Sequence, residues 1–501
     1  MRFLAITILL TAVMLTTGTV DPAAAENETE MVNDEIFYNI LVDRFNNGNQ
    51  SQDVPIDLND PGAFHGGDLQ GVIDKLGHLK EMGYTTLILS PIMDNAPGGY
   101  HGYWVENFRK IDPHYGTMKD LKKLVQEAHN RDMKVVLEFV TNYVAETSPM
   151  LDEPNKADWV QDTNPEVSQR WLGKTKKLDQ TNPEVQSFLK QTVDFWMDET
   201  DIDGYRFHAA DKANQAFLQK LTDHINQKDA SFMQLADILD PDDYNGDLAE
   251  LTHMSAVDAP GLHNPMSKTI ANPGAPVKDV YDAWQADGKP KSLNYLDNKH
   301  TERFTKRLVN NGRNPLTTWK LALTYLYTAP GAPMILQGSE IPMAGKNFPD
   351  KQRMVQWNSA DDDLQTFTGR IATIRSKFPA LKYGDYELAG SDGAMSVFSR
   401  SFQGETVYIA INNDTHSRSV TLDNIPDDKQ LKGLLEDHLV RADEEGTYRI
   451  GLAREKAEVY VTENDTGLNW LVIVPFAGIF VIFIAGIIWL SRKQKSGKAN
   501  A

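Results

Sequence analysis

Apolar residues recur along this chain in two alternating rhythms. Residues 36–42 (Ile-Phe-Tyr-Asn-Ile-Leu-Val) form a short, nearly continuous apolar run of the kind that becomes a strand buried on both faces. In 71–82, by contrast, Val72, Ile73, Leu76, Leu79 and Met82 fall at helical spacing and predict one buried helix face. The exchange continues with a strand over 85–90, a helix over 118–131, a strand over 134–140 and a long amphipathic helix over 183–200. Strands alternating with helices predict βα units around a parallel sheet. The length of this stretch, 34–380, suits an α/β architecture closed as a (β/α)8 barrel.

Two segments depart from that rhythm. Residues 146–177 are polar and rich in Asn, Asp and Pro, which predicts a loop domain inserted over the C-terminal face of the barrel. From Tyr383 onward, short alternating runs at 395–399, 406–411 and 419–422 predict a small antiparallel β domain over 381–464.

The termini carry a different pattern. Met1-Arg2 precedes an apolar run to Leu15 and small residues ending Ala23-Ala24-Ala25, which predicts a secretory signal peptide over 1–25. Near the other end, 471–490 holds no charged residue, and Trp470 and Trp489 bracket it. That length matches a bilayer core and predicts one transmembrane helix over 468–490. Arg492, Lys493, Lys495 and Lys498 then assign the tail 491–501 to the cytoplasm and the bulk of the chain to the outside.

Composition narrows the partners. With 70 acidic against 50 basic residues the formal net charge is −20, which excludes nucleic acid as a natural partner. The chain has no cysteine, so thiol catalysis and disulfides are excluded.

Several motifs, in order, resemble the α-amylase family, glycoside hydrolase family 13. They are Phe64-His-Gly-Gly-Asp-Leu-Gln-Gly71 leading to Leu89-Ser-Pro91, Tyr100-His-Gly-Tyr-Trp104, Asn182-Pro-Glu-Val185, Gly204-Tyr-Arg-Phe-His208, Gly338-Ser-Glu340 and the stretch from Asp350 to Trp357. The resemblance spans residues 36–422 and implies the same barrel with a C-terminal β domain. It also implies an α-glucan or related polysaccharide as ligand, contacted through His101, Tyr103, Trp104 and Arg206.

The departures matter as much. The resemblance places the nucleophile, the acid/base and the third carboxylate at His208, Asp237 and His300, so two carboxylates have become histidines and one is shortened. A retaining glycosidase needs two carboxyl groups about 5 Å apart. The reading is therefore a member with impaired or lost hydrolysis that binds polysaccharide. An active retaining α-1,4-glucan hydrolase with an unorthodox site, and a scaffold for surface partners, stay open as alternatives. So does a metal held by His208, His300 and Asp237 or Glu138.

The resemblance bears on calcium at two places, and implies it at one. The family's ion beside Asn142 loses its aspartate to Lys177, whose ammonium is expected to sit where the ion's charge would be. A second loop, Asn47, Asn49, Gln52 and Asp53 with Gly66 and Asp68, resembles another calcium loop, and its oxygen-rich side chains suit a hard cation.

Overall fold

Eight short parallel strands close into a barrel in sequence order: β1 (Phe37–Ile40), β2 (Thr86–Leu89), β3 (Lys134–Val140), β4 (Gly204–His208), β5 (Met233–Ala236), β6 (Ala256–Asp258), β7 (Ser292–Asn294) and β8 (Ala332–Leu336). This computed structural model describes residues 32–52, 55–161, 173–241, 244, 248–287, 291–465, 467 and 470–498. Residues 1–25, read as a signal peptide, lie outside them.

The two-residue period of the strands sorts their side chains. Phe37, Ile88, Val136, Met233, Leu235, Ala256, Leu293 and Met334 fill the barrel interior as one cluster. Their neighbours, among them Tyr38, Leu87, Leu137, Tyr205 and Phe207, face the surrounding helices in the larger core. The same alternation carries upward along each strand. Val136 is followed inward by Glu138, Gly204 by Arg206 and His208, and Ala256 by Asp258. Register then pairs Glu138 with Arg206 and Val140 with His208. The chemistry therefore collects at the C-terminal mouth, as a barrel requires.

Local signals set the helix ends. The helix expected over 71–82 runs Leu69–Glu81, because the Asp68 carboxylate accepts from Gly71 N and caps it two residues earlier. Thr117 and Asp120 form a reciprocal capping box for Met118–His129. Asn182 caps Pro183–Thr200, with Pro183 at its first position, and Asp201 ends it in the left-handed region.

The inserted segment is rooted by an antiparallel hairpin of Tyr143–Ala145 with Thr175–Lys177; its residues 162–172 lie outside those described. The C-terminal domain is a six-stranded antiparallel sheet plus a two-stranded one, running from Asp385 to Asn464 around its own core. Buried arginines join it to the barrel: Arg400 donates to Thr328 O and Arg313 to Asn413 Oδ1.

Beyond it, Trp470–Lys498 is helical. Among the described residues no helix is long and apolar enough to cross a membrane.

Candidate active site

Four strand ends and two loops bring one ionic network together at the barrel mouth. Arg206, fully buried on β4, is its hub. Its Nη2 lies 2.8 Å from Asp237 Oδ1 and 2.6 Å from Asp258 Oδ2, and its Nη1 lies 3.7 Å from Glu138 Oε2. His208 directs Nδ1 at Asp237 Oδ2 (2.7 Å) and at Glu138 Oε1 (3.2 Å). His300 Nε2 stands 3.2 Å from both Asp237 oxygens. Lys299 reaches in from the loop after β7 to pair with Glu138, and Tyr103 donates its hydroxyl to the same carboxylate at 2.7 Å.

Burial is close to complete. Glu138, Arg206, His208 and Asp237 have no exposed surface, and Lys299 is 2% exposed. A buried charge survives only if paired, and each of these is. Burial drives the Asp237 carboxyl upward, yet Arg206, His300 and His208 outweigh it and hold the group well below the ordinary carboxylate range. Glu138 behaves likewise: Lys299, the His208 hydrogen bond and Arg206 overcome burial and lower it to about 2. Burial alone would lower His208, but its hydrogen bonds to Asp237 and Glu138 and their charges raise it above the ordinary imidazole value.

His300 is depressed by burial despite Asp237, which makes it a neutral donor through Nε2. Asp258 is the carboxyl that yields. Burial pushes it to about 7, since its guanidinium partner is shared with Asp237, whose own charge works against it.

His208, Asp237 and His300 thus meet at one point of the mouth, with the Asp237 carboxylate accepting from Arg206, His208 and His300. General acid catalysis needs a pKa near the working pH, and these neighbours hold Asp237 below that range.

The expected sugar contacts are also placed. Tyr103 has no exposed surface; its ring lies against His208, with centroids 4.3 Å apart and 37° between planes. His101 is 1% exposed, accepts from Tyr103 N through Nδ1, and is lowered to about 3 by burial, Arg44 and His208. Arg206 is buried beneath both. Trp104 alone of the four keeps some surface, 9%, with Lys174 Nζ 4.6 Å from its ring centre.

A metal fits this cluster poorly. His208, Asp237 and His300 offer ligand atoms within 4.8 Å of one another. Both Asp237 oxygens already accept from Arg206, His208 and His300, and the adjoining cations Arg206 and Lys299 oppose a further positive charge.

In the loop at Asn47, Asp68 and Asn49 take protein hydrogen bonds. Asp68 accepts from Gly71 N (2.6 Å), Asn49 N (2.7 Å) and Gly48 N (3.2 Å), and Asn49 Oδ1 accepts from Ser51 Oγ (2.6 Å). Gly66 donates its N–H to Asp43 (3.2 Å), Gln52 lies in the turn Gln50–Gln52, and Asp53 lies outside the described residues. The Asp68 carboxylate and Asn49 Oδ1 therefore already accept from protein donors, which leaves them less free for a cation as arranged. Sequence reasoning missed Asp258. The signal was an apolar–polar alternation only three residues long, Ala256-Val257-Asp258.

Comparison with known proteins followed from this geometry. The family described as "Alpha amylase, catalytic domain" matches residues 39–377, and an "Alpha-amylase C-terminal domain" matches 384–460. The crystal structure of an Anoxybacillus α-amylase is 38% identical, with a TM-score of 0.82 over 87% of this chain and 99% of that one. The α-amylase of Geobacillus thermoleovorans, solved with acarbose, is 39% identical with a TM-score of 0.81 over the same shares. A β/α-amylase of Paenibacillus polymyxa is 27% identical over 88% of this chain, which spans 39% of that protein's length. A cyclomaltodextrinase of Thermoanaerobacter pseudethanolicus is 26% identical over 79% of this chain and 73% of its own.

Proposed function

Because the chain belongs to the α-amylase family, we propose that it is a member that has given up glycoside hydrolysis and keeps the barrel for binding polysaccharide. The closed floor of the bowl carries this reading: Tyr103 and His208 are fully buried against each other above a deprotonated, triply bonded Asp237. Loss of one member of a mutually dependent catalytic set costs several orders of magnitude in rate, and here all three positions have changed.

The solved relatives include an α-amylase bound to acarbose, so an α-glucan is the natural ligand class to carry over. With the floor filled, such a chain would lie against the rim beside Trp104, outside the cleavage position. The purified protein is expected to release no reducing sugar from soluble starch beyond a heat-denatured control. Release that disappears in Asp237→Asn would overturn the proposal. Retardation in a native gel containing starch, lost in Trp104→Ala, is the expected sign of rim binding, and unretarded migration would remove α-glucan from the reading.

The same proposal puts the protein at a cell surface, with residues 1–25 as an export signal and the uncharged run 471–490 as a single anchor. Supporting it, Phe480, Ile482, Phe483 and Trp489 are all exposed on the terminal helix, and a basic tail follows. Resistance to alkaline carbonate extraction, abolished by truncation after Asn469, is the expected result. Full release of the intact chain would refute the anchor.

A further inference from the structure

The resemblance implies a structural cation beside Asn142, tying the inserted segment to the barrel. The oxygens around that position are already taken, and by one residue. Gln180, 5% exposed, follows the root of the inserted segment. Its Nε2 donates to Thr141 O and to Asn142 Oδ1, each at 2.9 Å. Its Oε1 accepts from Asn214 N at 2.6 Å, and Asn214 caps the helix Gln215–Lys228. Its backbone carbonyl accepts from Gln186 Nε2 at 2.7 Å. Asn142 completes the link by donating to Ala209 O at 2.7 Å, in the loop after β4.

The donor set also lacks what a hard divalent cation prefers. Calcium is held by several oxygens, with carboxylates supplying charge. Here the position of the aspartate is Lys177, which pairs through its backbone with Tyr143 in the root hairpin. The nearby Asp179 turns its carboxylate to Thr181, at 3.0 Å to N and 2.6 Å to Oγ1. No carboxylate joins Asn142, Thr141 and Gln180 in these contacts. The ammonium expected to substitute for the ion is not among them either; a neutral amide is.

We infer that the Gln180 side chain has replaced a structural cation as the staple between the inserted segment, the β3 and β4 loops and the helix after β4, so the order of that segment is independent of calcium. An amide suits the task because it offers two donors and an acceptor in one plane. It can therefore face Asn142 Oδ1 and Thr141 O on one side and a backbone N–H on the other, whereas a cation faces only oxygens.

The inference does not depend on whether the protein hydrolyses or binds glucan, and its test uses neither. Trypsin cleavage at the lysines of residues 146–178, and the melting temperature, would be followed in the full-length protein with calcium and with excess chelator. The wild type is expected to give the same values in both. A chelator-induced rise in cleavage or fall in melting temperature would overturn the inference. Gln180→Ala leaves buried acceptors and an N–H unpaired, and is expected to speed cleavage of the segment about tenfold. Wild-type rates in that variant would also overturn it.

Should Gln180→Ala not fold, Gln180→Glu decides. It supplies a carboxylate facing Asn142 Oδ1 and Thr141 O, and is expected to be labile with chelator and protected by calcium. A Gln180→Glu protein indifferent to calcium would show that an ion has no place there and would refute the replacement.

Discussion

Replacing Lys299 by methionine isolates the charge that lets Glu138 stay ionised in a dry barrel. The change keeps most of the side-chain volume and removes only the ammonium that pairs with Glu138 and contacts the Tyr103 hydroxyl. In the native protein Glu138 is held at about 2 against an ordinary 4.5, with Lys299 the largest influence opposing burial. That displacement corresponds to about 3 kcal/mol, and breaking a buried pair by deleting one partner costs about 3–5 kcal/mol. At about 2 °C per kcal/mol for a domain of this size, the barrel transition should fall by roughly 6–10 °C near pH 8.

The pH dependence distinguishes charge from packing. A carboxyl with a depressed folded pKa contributes stability above its unfolded value, and that stability is lost as pH falls towards the folded value. In Lys299→Met burial is left less opposed and the Glu138 pKa rises, so protonation relieves the defect. The deficit against wild type should shrink between pH 8 and pH 5. Scanning calorimetry across that range measures it. A deficit that stays constant with pH, or one below about 1 kcal/mol, would refute the view that Lys299 acts by neutralising Glu138.

Three further outcomes follow from the same coordinates. Asp258 is raised to about 7 by burial, so its stabilising contribution is complete below the unfolded carboxylate pKa and is lost as pH rises through 7; Asp258→Asn should flatten that loss in melting temperature measured from pH 4 to pH 8. Thr117→Ala removes the capping box of Met118–His129 and should cost about 1 kcal/mol by denaturant titration, with no change if the cap is idle. Gly83 has φ +86° and a Cβ there would stand 2.4 Å from Ala372 Cβ, so Gly83→Ala should destabilise the barrel by more than about 1 kcal/mol, and a neutral result would mean the helix Asp362–Lys377 shifts freely.

Much of the fold could be read along the chain because its signals are local. Alternation of buried strand runs with amphipathic helices set up the barrel, and caps such as Asn182-Pro183 marked helix starts within a residue or two. Short strands gave weaker signals: three residues such as Ala256–Asp258 are too few for a period to register, and with that strand went Asp258. His208, Asp237 and His300, singled out from the motifs, do come together at the barrel mouth.

What the linear order could not determine was the protonation and accessibility of those groups. Whether Asp237 is an acid or a fixed anion depends on Arg206, His208 and His300, brought from β4 and the loop after β7. Whether Tyr103 offers a face to a sugar depends on His208 packing over it from another strand. Lys177 was expected to place its ammonium beside Asn142, yet the side chain that donates to Asn142 Oδ1 is that of Gln180, three residues further on. Charge states in a low-dielectric interior are set by neighbours a few ångströms away, and those neighbours are chosen by barrel closure. The sequence by itself determined the barrel, its C-terminal β domain and the kinds of residue carried to its mouth; only the tertiary structure decided which of them pair and how deeply they are buried, because the partners lie on different strands.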